Sequence, residues 1–146
     1  MNRRLFVQAG ATAAFALFLP AVLAQSTGAT SSKRKGIVIQ VSDNDPAKWN
    51  LALNNAKNLQ DDVGAANVEI EIVAYGPGIG MLKLESPTGS RIADAAKAGV
   101  RISACENTMR AQKLTKDDML AGISYVPAGV TEIMKKQHEG WAYLRP

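Results

Sequence analysis

Val100-Arg101-Ile102-Ser103-Ala104-Cys105-Glu106-Asn107-Thr108-Met109-Arg110-Ala111 changes character at its middle. Val100 to Ala104 is a short hydrophobic run of the kind that forms a buried strand, and the polar residues after Cys105 open a helix. A thiol at the C-terminal end of a strand lies where open α/β sheets place their chemistry. The N–H groups and dipole of the following helix favour the thiolate, the reactive form of cysteine. A second reading stays open: a free cysteine is also a small hydrophobe, and Cys105 then only fills space.

Outward from this segment the chain alternates strand and helix. Gly36 to Val41 is a nearly continuous apolar run, as expected of a central parallel strand. Asp45 is placed to cap a helix with Pro46 at its first position, and Trp49, Ala52, Leu53, Ala56, Leu59 and Val63 recur at helical spacing until Gly64 stops it. Val68 to Tyr75 forms a second strand. There Glu69 and Glu71 alternate with Val68, Ile70 and Ile72, which predicts a wet face or a place toward the sheet edge. A glycine-rich loop, Gly76 to Gly80, follows.

Thr88 to Ala98 is an Ala-rich helix ended by Gly99, and the strand leading into Cys105 comes next. A short helix from about Asn107 to Leu114 precedes Thr115-Lys116-Asp117-Asp118, which has the form of a capping box. Ile123 to Val126 is a fourth strand. The helix after Pro127-Ala128-Gly129 carries Val130, Ile133, Met134 and Gln137 on one side, Gly140 ends it, and Trp141 to Leu144 is a last short strand. The fold class is therefore α/β, with a mostly parallel five-stranded sheet covered on both faces and right-handed crossovers. Strand order is not readable from this pattern.

In a parallel sheet the loops after the strands gather at one edge. Here these are Ser42 to Asn44, Gly76 to Gly80, Cys105 to Arg110, and Pro127 to Gly129. Gly76, Gly78 and Gly80 could let a ligand or a second chain approach the backbone, or simply make a turn. Their loop is neither a Walker nor a dinucleotide fingerprint, since no Gly-Lys-Ser/Thr follows and the spacing fails. Asn107, Thr108 and Arg110 are candidates for supporting a thiolate or an anion, and Arg110 is otherwise a surface arginine. His138, the sole histidine, lies far along the last helix and is given no catalytic role. Asp43 and Asp45 read as turn and cap residues.

Residues 1–24 are expected to be a secretory signal peptide: Arg3-Arg4, an apolar stretch from Ala9 to Leu23, and small residues at Val22-Leu23-Ala24. The arginine pair is of the twin-arginine type that exports folded proteins. Cleavage would start the mature chain at Gln25 in the periplasm, with residues 25–34 as a flexible leader, residues 35–146 as one domain, and no lasting membrane insertion. An uncleaved N-terminal anchor is the other reading. In an oxidising compartment a lone cysteine implies intermolecular pairing or a free reactive thiol. It excludes a multi-cysteine metal site within one chain, and no metal or cofactor is expected. The net charge is +4, or +2 once Arg3 and Arg4 are set aside. Lys33-Arg34-Lys35 has no interleaved aromatics, so a nucleic-acid partner is not supported.

Three stretches resemble the DsrE/DsrF-like family: Cys105-Glu106-Asn107-Thr108-Met109-Arg110, Tyr75-Gly76-Pro77-Gly78, and Val126-Pro127-Ala128-Gly129-Val130 with Gly140-Trp141-Ala142-Tyr143. The resemblance runs from about Lys35 to Pro146. It implies a three-layer α/β/α sandwich and assembly into homo- or hetero-oligomers, commonly trimers and hexamers. In sulfur-relay members such as the TusD and DsrE subunits, a cysteine after a central strand carries sulfur as a persulfide. Cys105 is the matching residue, with sulfur donor and acceptor proteins as the implied partners. From another class, the chain would be a non-catalytic oligomeric module that binds a small ligand beside the Gly76 to Gly80 loop. An accessible Cys105 with a depressed pKa favours the carrier, and a buried, inert one favours the module.

Overall fold

The computed structural model describes residues 35–146; the expected signal peptide and leader lie outside them. Five strands and four α-helices alternate: β1 (Lys35–Val41), α1 (Pro46–Val63), β2 (Val68–Ala74), α2 (Gly89–Lys97), β3 (Arg101–Cys105), α3 (Glu106–Ala111), β4 (Ser124–Val126), α4 (Gly129–His138) and β5 (Ala142–Leu144). The strands form one parallel sheet in the order β4-β3-β2-β1-β5. Among the described residues no helix is long and apolar enough to cross a membrane.

The order explains the layers. From β1 to β3 the chain steps one strand at a time in one direction, so right-handed crossovers put α1 and α2 on the same face. The connection from β4 back to β5 runs the other way, and α4 covers the opposite face. The first face holds the larger core, where Ile39, Val41, Ile72, Ala74 and Ile102 pack on Trp49, Leu53, Ile79, Met81 and Ile92. The second is smaller: Val38, Val73 and Val126 with Ile133 of α4, flanked by Tyr75 and Trp141.

Local chemistry sets the helix ends. Asp45 caps α1 by accepting from the Ala47 N–H at 2.8 Å, with Pro46 in the first turn and Gly64 at the end. The Thr115–Asp118 capping box forms as its sequence predicts, over a single 3-10 turn. Helix α3 stops at Ala111, short of the expected Leu114. The Lys113 and Leu114 N–H groups turn back onto the carbonyls of Arg110 and Met109 with Lys113 at φ 57, a Schellman ending.

Two expectations fail. The acidic alternation in β2 does not mark an edge, because β2 is the middle strand; Glu69 at its start is exposed, but Glu71 is 0% exposed. Its carboxylate lies under α4, where Oε1 accepts from the Ser103 hydroxyl at 2.6 Å. Helix α4 is also rotated from the face expected of it. Gly129 and Ile133 are its buried residues, whereas Val130 and Met134 are 59% and 49% exposed. The charged pair Glu132 and Lys136, half-buried, lines the inner side instead, because the sheet beneath offers Glu71 as a partner.

Candidate functional site

Cys105 ends β3, paired with Val126 of β4, and its side chain caps α3. Alternation along β3 puts Arg101, Ser103 and Cys105 on the α4 face. The parallel sheet brings the ends of β2, β3 and β4 together, so the sulfur meets the Thr108 turn of α3 and the first residue of α4. The Thr108 N–H donates to Cys105 Sγ at 3.4 Å. The Thr108 hydroxyl and the backbone N–H groups of Gly129 and Asn107 also face the sulfur. The Asn107 N–H is shared, since it donates to the Pro127 carbonyl at 3.1 Å.

Two effects compete at this thiol. Cys105 is only 4% exposed, and burial pushes its pKa up. The hydrogen-bond donors outweigh burial, the Thr108 hydroxyl first and then the N–H groups of Gly129, Thr108 and Asn107, and hold the thiol below its ordinary value. These donors belong to the N-terminal turns of two helices, where N–H groups lack intrahelical acceptors. Hydrogen-bond donors aimed at the sulfur favour its anion over its neutral form. The site therefore has the depressed pKa expected of a carrier together with the burial expected of a structural residue.

Of the other residues singled out in the sequence, Thr108 is the one most closely tied to the sulfur. Its Oγ1 also accepts from the Gly76 N–H at 2.9 Å, which joins the end of β2 to the cysteine turn. Arg110 is exposed and donates to the Asn107 side chain, so both side chains are turned to each other. The three glycines part ways. Gly76 adopts φ 53 and accepts from Gln112 at 3.2 Å, which keeps it at the site. Gly78 lets the chain's own β1 end approach: a Cβ there would run into the Val41 carbonyl oxygen. Gly80 packs against Asn44 and Trp49. The stretch from Gly76 to Leu82 is a 3-10 helix rather than an open loop. A cleft of about 500 Å³ opens elsewhere, between α1 and α2, over Leu53, Ala56, Ala95 and Val100.

The sequence puts Gly129 at this edge of the sheet but does not tie it to the sulfur. Gly129 follows a proline-containing turn at the right edge of the sheet, but which neighbouring strand it would serve depended on strand order. In the fold it sits against the Tyr75 side chain, closely enough that a Cβ would meet the Tyr75 Cβ at 3.0 Å.

The profile of the DsrE/DsrF-like family matches residues 33–146. Among solved structures, a protein of unknown function, MTH1491 from Methanobacterium thermoautotrophicum, is 37% identical over 77% of this chain and 99% of its own, with a TM-score of 0.73. A conserved protein of unknown function, BT1422 from Bacteroides thetaiotaomicron, is similar at 14% identity and TM-score 0.63, over 77% of this chain and 95% of its own. The ychN protein of E. coli is similar at 10% identity and TM-score 0.63, over 78% of this chain and 100% of its own. These last two show a shared fold. No curated protein sequence matches.

Proposed function

The chain belongs to the DsrE/DsrF-like family, which is related to sulfur relay, and from that premise we propose that it carries sulfur as a persulfide on Cys105. The observation that carries this reading is the donor shell of the sulfur, four groups from α3 and the start of α4 that hold the thiol below its ordinary pKa. The thiolate attacks the terminal sulfane sulfur of a donor. One S–S bond forms as the donor's own S–S bond breaks, and the electron pair leaves with the remainder of the donor. An acceptor thiolate then attacks the outer sulfur of the persulfide and returns Cys105 as thiolate. Persulfidation is a reversible cap on thiols of this kind.

Arg3-Arg4 and Val22-Leu23-Ala24 support a periplasmic site for the reaction, after cleavage to a mature chain beginning at Gln25. N-terminal sequencing of the native protein checks this, and an intact Met1 in a membrane fraction would contradict it. The working form is a homo-oligomer, a trimer or hexamer. The exposed Val130 and Met134 on α4 and Tyr143 on the edge strand β5 support this; light scattering of the mature chain tests it, and a monomer across working concentrations would remove it.

The test of the chemistry is intact-mass spectrometry after exposure to polysulfide or thiosulfate, with Cys105→Ser as control. The expected result is a gain of one sulfur atom that the variant lacks and that a small thiol removes. The near-complete burial of Cys105 favours a second reading, a non-catalytic oligomeric module that binds a small ligand. No adduct, together with an alkylation midpoint at or above the free-thiol value, would establish that reading in place of the first.

A further inference from the structure

The far end of α4 is anchored by one side chain. Lys136 is 14% exposed, and its ammonium is 3.9 Å from Glu71 on the middle strand, 3.9 Å from Glu132 and 3.3 Å from Glu139. It also stands 4.4 Å over the Trp141 ring, which packs against Gly36 of β1. Four partners from the sheet, from α4 and from the segment before β5 thus converge on one cation. Glu71 is itself held by Ser103, has its second oxygen without a hydrogen-bond partner, and feels Arg101 from β3. At the other end of the same helix, Gly129 abuts Tyr75 and turns its N–H toward the Cys105 sulfur. Gly129 and Lys136 are seven positions apart, about 10 Å of helix. Between them Ile133 is the buried apolar contact of α4 with the sheet.

We propose that Lys136 is a positioning residue for Cys105: by pinning the end of α4 to Glu71 and Trp141 it sets the axial placement of the helix, and with it the Gly129 N–H at the sulfur. A helix is stiff along its axis, whereas one isoleucine in an apolar groove resists sliding weakly. The charged anchor supplies the missing register, a use well attested for buried polar groups. The inference rests on Cys105 being the reactive group.

The test is the rate of Cys105 alkylation against pH in the full chain, for wild type, Lys136→Met and Lys136→Arg, at low and high salt. Met keeps an unbranched apolar side chain and removes the charge that stands over Trp141. The expected result is a thiol midpoint about half a unit higher in K136M, roughly a threefold fall in thiolate at neutral pH, with K136R close to wild type. The rise should persist at high salt, because a displaced N–H is not screened as a distant charge is. Ile92→Val, on the opposite face of the sheet, controls for general loosening and should leave the midpoint in place. Superimposable profiles for K136M and wild type, an equal shift in I92V, or a shift abolished by salt would each overturn the proposal. Persulfide formation in the wild type with no effect of K136M would leave the carrier reading intact and remove only this one.

Discussion

Thr108 is bonded to Cys105 and to the end of the middle strand at once: its N–H donates to the sulfur at 3.4 Å while its hydroxyl oxygen accepts from the Gly76 N–H at 2.9 Å. The thiol's surroundings are thereby braced against β2, not only against its own helix.

Thr108→Val keeps the shape and removes the hydroxyl. It should raise the thiol midpoint and leave the Gly76 N–H without its acceptor, a loss of about 1–3 kcal/mol if no water replaces it. Alkylation against pH and urea denaturation measure the two effects separately. Thr108→Ser should recover most of both, and a serine variant as impaired as valine would mean that the methyl group matters instead.

The lowered pKa of Cys105 makes stability depend on pH. The unfolded thiol holds its proton to a higher pH than the folded one, so stability rises with pH between the folded value and the free value of about 8.5. Compared with Cys105→Ser, the wild type should gain stability on going up through that window and lose the gain as pH falls through the folded value. Equal slopes for the two proteins would contradict the depressed pKa.

Glu71 has the opposite sign. Burial, with the neighbouring Glu132 carboxylate, raises its pKa against the hydrogen bond from Ser103 and the pull of Arg101 and Lys136. Its contribution is fully present below the unfolded carboxyl value of 4.5 and is lost as pH rises through the folded value. The stability of the wild type minus that of Glu71→Gln should therefore decline with pH above about 4.5. A difference that grows with pH would mean that Lys136 pairs with the carboxylate strongly enough to reverse the effect of burial.

Gly78→Ala should destabilise the fold by about 1–3 kcal/mol, because the added methyl meets the Val41 carbonyl and the Ser42 backbone, neither of which can turn aside as a side chain does. Thermal unfolding checks this. Gly76→Ala strains a backbone at φ 53 but has open space around it, so its cost should be nearer 1 kcal/mol.

Several features follow from short-range chemistry and could be read from the chain. Asp45 and Pro46 start α1 because one supplies an acceptor and the other lacks a donor. Thr115 and Asp118 close a capping box for similar reasons, and glycine at positions 64, 99 and 140 takes the positive φ that ends each helix. Cys105 at a strand end needed only the change from apolar to polar residues. The Gly76 to Gly80 segment was recognisable as glycine-rich, but that Gly78 accommodates the chain's own β1 end required knowing which strands are neighbours.

The alternation of strands and helices, most of the places where helices begin and end, and the position of the single thiol between β3 and α3 can be read from the chain itself. Each of these depends on residues a few positions apart. What lies across from them comes from long-range packing: β2 is the middle strand, Glu71 is buried there, and α4 turns Lys136 inward and Val130 outward. The same packing brings Gly129, distant in sequence, to present its N–H to Cys105. These outcomes depend on strand order and on the return of the chain from β4 to β5. They are settled by long-range pairing, which no periodicity within one segment encodes.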